Sequence, residues 1–413
     1  MEWIEEFHQR FSLSATSRGG LSTQTRRGFT LQTRRFFRTF GIGATILAAS
    51  GGLISAAGLP ASAAASSKAV APVDLTVVGA QTTQELLGAL VTKFNASSVA
   101  KKENATATNI YAQPPDPGTV APSDANCNGG KAITYIQESN PGPNEATAPN
   151  GGTAGRTALA NSVNAGTSCI SIARSTSPGS STDPAGTQAY AFAVDGVTWA
   201  RAATSDAPGN LSMTQLEGVY DCTYTNWKQV GGKNAAIDRF YPATGSGIAT
   251  FFAGVLGFDP RVIGGVNKCA TPATTIEQNE ATAIPSNETA AAITIFSGGS
   301  WSSQANGVDP DARNGFTLGE INKKGSIVKE TSGTYGPSAI VKEANVEPAA
   351  YNPTSNTAVQ GINNLFNFIN TNSVDYTAAA SFVGAKSVLC TNGDASTITK
   401  YGFHALTSCL EQS

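Results

Sequence analysis

Residues 73–95 read VDLTVVGAQTTQELLGALVTKFN, and their reading decides the fold class. Val73–Gly79 is β-branched and alternating, which predicts a strand. Gly79-Ala80-Gln81-Thr82-Thr83 is a turn. Between Gln84 and Asn95, residues Leu86, Leu87, Leu90, Val91 and Phe94 recur on one helical face, and Thr82 or Thr83 suits its N-cap. The unit is strand, small polar turn, helix.

Outward from this unit the pattern continues. Short strands are expected at Asn109–Tyr111 and at Ala132–Ile136. A helix follows at Thr153–Val163, then a buried strand at Cys169–Ala173 and an apolar strand at Ala189–Trp199. Ser212–Tyr220 reads as a helix opened by the capping box Ser212-Met213-Thr214-Gln215. A strand at Asp238–Tyr241, a helix at Ile248–Leu256 and a strand at Ala291–Phe296 come next. Helices are expected at Ala358–Ile369 and Ser396–Leu406. Strands alternating with helices predict an α/β protein with mainly parallel sheets.

Four segments share the design of the first turn: Gly79–Thr83, Gly151–Gly155, Arg174–Ser177 and Thr244–Gly247. The first turn of a helix carries backbone N–H groups without intrahelical partners, and the helix dipole adds partial positive charge there. Small residues let an anion approach that backbone, and Ser/Thr hydroxyls add donors. Open α/β sheets bind ligands at the carboxyl ends of their strands. Several such turns converging would hold a tetrahedral oxyanion, each hydrogen bond to charge contributing about 1.5–3 kcal/mol. Taken singly, each turn is also an ordinary capped helix. Thr244-Gly245-Ser246-Gly247 lacks the lysine of a nucleotide-binding loop. Arg174, directly after an apolar strand and inside a Ser/Thr turn, is a candidate anion ligand; its alternative is a salt bridge.

Residues 1–63 stand apart. Seven arginines precede an apolar run, Phe40–Leu59, which ends in Pro60-Ala61-Ser62-Ala63. Basic, apolar and small segments in that order predict a secretory signal peptide cleaved near Ala63. Thr33-Arg34-Arg35-Phe36-Phe37 reads as a twin-arginine export signal. A retained membrane anchor is the alternative, but the run is Gly/Ala-rich and only mildly apolar. No Cys lies near the cleavage site, so no lipid anchor is expected.

Without residues 1–63 the chain keeps 20 Lys+Arg against 26 Asp+Glu, a net charge of −6. An acidic chain with no basic cluster argues against nucleic-acid binding. It also obliges any anion to be held by local dipoles and one or two arginines. The six cysteines, Cys127, Cys169, Cys222, Cys269, Cys390 and Cys409, imply disulfides in an exported chain. Sequential pairing keeps each loop local: Cys127–Cys169, Cys222–Cys269 and Cys390–Cys409. No C-x-x-C suggests a metal site. Of the two histidines only His404 survives cleavage, and it falls in an expected helix. With no G-x-S-x-G either, neither a metal centre nor a Ser-His-Asp triad is expected.

The segment order resembles the phosphate-binding proteins of ABC importers, the PstS-like branch of the type 2 periplasmic binding proteins, in its secreted actinobacterial form. The likeness is carried by VVGAQTTQELL (77–87), NGGTAGRTAL (150–159), CISIARSTSP (169–178), AYAFAVDGVTWAR (189–201), LSMTQLEGVYDCTYTNWKQVGG (211–232) and RFYPATGSGIATFF (239–252). It implies donors from Thr82 and Thr83, from Thr153 where the family has a serine, and from Ser175, Ser246 and Gly247. The family's acidic residue beside Ser175, which accepts the bound phosphate's proton, is Thr176 here. The family's arginine before the GSG turn falls on Pro242, and the threonine closing that turn is Ile248. Arg174 stands where the family has a small residue. Loss of the carboxylate opens the site to sulfate or another oxyanion.

The resemblance implies a two-lobed fold with the ligand cleft between the lobes: 64–198 and 346–413 in the first, 199–345 in the second. Crossovers are expected near 190–200 and 340–355. The candidate ligand-binding residues are Thr82, Thr83, Thr153, Arg174, Ser175, Thr176, Gly245, Ser246 and Gly247. The expected function is capture of inorganic phosphate or a similar oxyanion outside the cell for an ABC importer permease, by a monomer without cofactor or catalysis. The alternatives are an interaction protein of the same fold with another ligand, and a secreted phosphatase.

Overall fold

The computed structural model describes residues 71–413 apart from 114–116, 123, 324–326, 330–334, 338–361, 392–393 and 413. The expected export segment (1–63), the expected boundary at 345/346 and the crossover near 340–355 lie outside the described residues.

Ten strands form one mixed sheet. They are β1 (Val73–Gly79), β2 (Ala105–Asn109), β3 (Ile172–Ser175), β4 (Thr187–Ala202), β5 (Asp238–Pro242), β6 (Thr274–Ile276), β7 (Ala292–Ser297), β8 (Phe316–Leu318), β9 (Ile362–Asn370) and β10 (His404–Gln412). Their order is β6-β5-β7-β4-β9-β3-β1-β2, with β8 and β10 also paired to β4. The helices that matter below are α1 (Gln84–Ala96), α2 (Gly152–Ala165), α3 (Met213–Tyr220), α4 (Gly247–Leu256), α5 (Gly298–Ala305) and α6 (Tyr376–Val383).

The sheet corrects the expectation of mainly parallel pairing. β1 runs parallel to β2 and β3, and β5 runs parallel to β6 and β7. Around β4 every pairing is antiparallel, with β7, β8, β9 and β10. Parallel neighbours need a helical crossover between consecutive strands. β9 and β10 come instead from the distant C-terminal end and lie against β4 in the opposite sense.

β4 carries the chain from one apolar core to another. Leu75, Leu86, Phe94, Phe192 and Phe382 share one cluster, and Val78, Leu159 and Phe366 a second. Trp199, Leu216, Tyr241 and Phe252 pack in a third, and Phe240, Phe296, Trp301 and Phe316 in a fourth. The change falls between Ala193 and Val197. The expected lobe boundary at 198/199 therefore lies inside β4. Residues 67–413 form one unit.

Two expected helices are strand in whole or in part. Of the expected helix Ala358–Ile369, the described part, from Ile362 on, belongs to β9, whose described side chains are buried throughout. A strand buried on both faces does not alternate, and Asn364, Asn367 and Asn370 recur every third residue, which mimics a helical period. Ser396–Leu406 splits into a short helix, Ala395–Lys400, and β10. Gly402 ends the helix at φ +80°, the left-handed conformation that glycine supplies after a C-cap. His404 thus opens a strand. The disulfides are Cys127–Cys169, Cys222–Cys269 and Cys390–Cys409, the sequential set.

Asp195 sits on β4 where its partners change. Asn363 of β9 lies opposite it, and β7 takes over from Val197. The carboxylate is 1% exposed and accepts the Gly299 N–H of α5 at 2.9 Å. Burial outweighs this bond and the Ser297 hydroxyl and pushes its pKa up from 3.8 to about 7. The native state therefore holds a proton that the unfolded chain releases near pH 4. Stability contributed by this group is present at low pH and is lost as pH rises toward 7. Asp195→Asn should remove a slope of about 1.4 kcal/mol per pH unit between pH 5 and 7. Urea unfolding at both pH values checks this, and a variant with the wild-type slope contradicts it.

Candidate anion-binding site

All four Gly/Ser/Thr turns meet. A Cβ on Gly155 would fall 2.5 Å from Gly79 Cα, and one on Gly151 would fall 2.5 Å from the Gly245 carbonyl oxygen. A Cβ on Gly152 would lie 3.0 Å from Ser175 Oγ, and one on Gly247 would strike Thr176 Oγ1. Gly79 at φ +115° and Gly151 at φ +90° hold backbone that favours glycine on steric grounds as well. The contacts join turns after β1 and β3 to the turn after β5, so both parts of the sheet contribute.

Arg174 requires a correction. Its side chain is fully buried, and all five N–H donors are spent on the protein. Nε donates to the Ala80 carbonyl at 3.3 Å. One terminal nitrogen donates to the Val77 carbonyl at 3.3 Å and to Asn109 Oδ1. The other donates to the Gly79 and Ile110 carbonyls at 3.2 and 3.1 Å. Burial pulls the guanidinium down to about 9, with Tyr111 and Glu85 pulling the other way. A guanidinium has five donors, so none remains for a ligand. Arg174 clamps the end of β1, the first turn and the end of β2 together.

Pro242, where the resembled family has its arginine, is buttressed by Arg261. That guanidinium donates to the Pro242 and Ala243 carbonyls at 3.2 and 2.9 Å and binds Asp259 at 2.7 Å. It too is committed to shaping a turn.

The other expected residues divide by what their side chains already do. Ser175 Oγ donates to the Ser177 carbonyl at 2.9 Å and accepts the Ser177 N–H at 3.0 Å, closing its own turn. Ser246 caps α4 by accepting the Ala249 N–H and donates to Gln278 Oε1 at 2.6 Å. Thr82 Oγ1 accepts from Asn279 at 3.1 Å, and the Thr82 carbonyl accepts the Ser300 hydroxyl at 3.2 Å. Thr83 occupies the N-cap position of α1, but its hydroxyl makes no capping bond. Thr153 remains exposed on α2. Gly245 and Gly247 offer backbone alone.

Three buried groups at these turns have no partner: Thr83 Oγ1, Thr176 Oγ1 and Gln278 Nε2. Their residues are 1%, 0% and 2% exposed. Buried polar groups are normally hydrogen-bonded, so these three keep unused hydrogen-bonding capacity at or beside the turns. Gln278 and Asn279 escaped sequence reading. Strand β6 before them spans only Thr274–Ile276, with two exposed threonines, and so carried no strand signal.

A cavity of about 300 Å³ adjoins the first turn, lined among others by Gln81, Thr82 and Glu85 on one side and Asn279, Ser300 and Asp309 on the other. Burial pushes Asp309 up to about 6, and burial together with Asp309 raises Glu85. Among the described residues no group of three His, Cys, Asp or Glu could hold a metal, and no helix is long and apolar enough to cross a membrane.

The mixed sheet with small-residue turns at its strand ends is the α/β architecture of the type 2 periplasmic binding proteins. The model of the PBP superfamily domain matches residues 63–383, and the chain belongs to that superfamily. Solved structures similar to it include an ABC-type phosphate transport receptor from Vibrio cholerae, at 16% identity and TM-score 0.46, covering 80% of this chain and 99% of that one. PstS from Borrelia burgdorferi matches at 14% identity and TM-score 0.42, covering 81% and 99%. A human phosphate binding apolipoprotein matches at 15% identity and TM-score 0.47, covering 81% and 91%. No curated protein matches.

Replacing Arg174 removes a donor from Asn109 Oδ1 and from four carbonyls, of which that of Val77 keeps the Ile110 N–H at 2.8 Å. Arg174→Met should cost at least about 3 kcal/mol of unfolding free energy, because several buried acceptors are left unsatisfied at about 1–3 kcal/mol each, read by chemical denaturation, and Arg174→Lys should recover part of it. A loss under about 1 kcal/mol, the level of an exposed pair, contradicts the clamp.

Proposed function

We propose that this chain is an exported receptor that captures phosphate or a similar tetrahedral oxyanion and passes it to the permease of an ABC importer. The observation that carries the reading is the meeting of four small-residue turns, two of which carry a buried hydroxyl without a partner, Thr83 and Thr176, while a third is bonded through Ser246 to Gln278, whose amide nitrogen has none. Three of those turns lead into the helices α1, α2 and α4, whose first N–H groups have no intrahelical partner and would be available to an anion. Hydroxyls, an amide and backbone would supply the donors, with Arg174 and Arg261 holding the turns in place from behind.

In this reading 64–198 and 346–413 form one lobe and 199–345 the other. Anion binding closes them on each other, as hinge domains close around ligands. The bonds from Asn279 to Thr82 and from Ser300 to Thr82 are contacts that such closure would form. Removal of residues 1–63 during export, possession of three disulfides and monomeric capture belong to the same proposal.

Calorimetric titration with phosphate, after refolding from guanidinium to remove carried anion, tests it. Wild type should bind at a single site. Gly247→Val, whose side chain would collide with Thr176, should lose at least about 100-fold in affinity, or about 2.7 kcal/mol, at an unchanged circular dichroism spectrum. No heat from wild type with phosphate or sulfate overturns the anion reading.

A further inference from the structure

Gln278 lies on the segment after β6, next to the turn that opens α4. Its Oε1 accepts the Ser246 hydroxyl at 2.6 Å, which fixes the amide's orientation and leaves Nε2 buried without a partner. Ser246 caps α4, and the first residue of α4, Gly247, lies against Thr176. The Gln278 amide and the Thr176 hydroxyl therefore flank the turn that opens α4 from opposite parts of the sheet, and the neighbouring residues Asn279 and Thr82 are hydrogen-bonded at 3.1 Å, which ties the turn carrying Thr83 to the same segment.

The chemistry of this set is unusual for an anion site because nothing in it is ionic. Arg174 has spent its donors. Arg261 is bound to Asp259 and two carbonyls. The carboxylate next in sequence, Glu277, accepts from Asn150 at 3.2 Å. Hydroxyls can donate or accept, whereas an amide nitrogen only donates. Hydrogen phosphate presents one P–OH proton, and a threonine hydroxyl can accept it. Sulfate presents none, and the same hydroxyl can turn and donate to it. Rejecting a fully ionised oxyanion requires an unpaired or repelling element, and none of the three groups supplies one.

Resting on the receptor reading above, we propose that Gln278 completes the anion site, and that the neutral set it forms with Thr83 and Thr176 holds protonated and fully ionised tetrahedral oxyanions alike. The ligand class is the dianion of tetrahedral shape, with phosphate and sulfate as its two inorganic members.

The test is calorimetric titration of the refolded protein with inorganic phosphate and, separately, with sulfate. Wild type should bind both with affinities within about tenfold, equivalent to about 1.4 kcal/mol. Gln278→Glu keeps the oxygen that Ser246 donates to and replaces the donor with an anionic acceptor. In that variant sulfate affinity should fall at least about tenfold further than phosphate affinity, because only hydrogen phosphate can donate to the carboxylate. Gln278→Met should weaken both anions equally, and thermal melts establish that each variant is folded. Wild-type preference for phosphate above about 100-fold overturns the proposal while leaving the receptor reading intact. So does a Gln278→Glu variant that binds both anions as wild type does. Absence of binding of either anion to wild type overturns both readings.

Discussion

A single buried guanidinium organises the first half of the site. Arg174 reaches from the end of β3 across the end of β1 to β2, and its five hydrogen bonds tie Val77, Gly79, Ala80, Asn109 and Ile110 into one block. A buried charge is tolerable only when its donors are fully met, and here carbonyl oxygens meet four of the five. The turn that carries Thr82 and Thr83 is held by this block. Gly79 then brings α2 close enough that no side chain would fit between Gly155 and the β1 backbone.

The same constraint explains the site's electrical character. The chain is acidic, with a net charge of −2, so its overall field opposes an anion. Its arginines at the turns act as scaffolding. Attraction falls to helix N-termini, free N–H groups and hydroxyls, which are strong only where water is excluded. The burial of Thr83, Thr176 and Gln278 supplies that exclusion. In the receptor proposed above, such a site would gain little long-range steering and would depend on closure of the surrounding backbone.

Much of the fold was legible in the sequence because α1, α3 and α4 show clean helical faces and β1, β4 and β7 are apolar runs bounded by turns. β9 was misread because it is buried on both faces and its asparagines fall at helical spacing. β10 was misread because Gly402 stops a helix after Lys400. The four turns of the site were legible as turns, and their convergence was expected from topology. The role of Arg174 was not, since donor satisfaction is a property of the packed neighbours Val77, Ala80 and Ile110, which are distant in sequence. Gln278 was invisible for the same reason: its partner, Ser246, lies 32 residues away.

Anomalous diffraction from crystals grown with arsenate tests the central claim most directly. The account predicts one arsenic peak within hydrogen-bonding reach of Thr83 Oγ1, Thr176 Oγ1 and Gln278 Nε2, with Arg174 still bonded to its five protein partners. A peak on the Arg174 guanidinium, or one remote from the four turns, would contradict it.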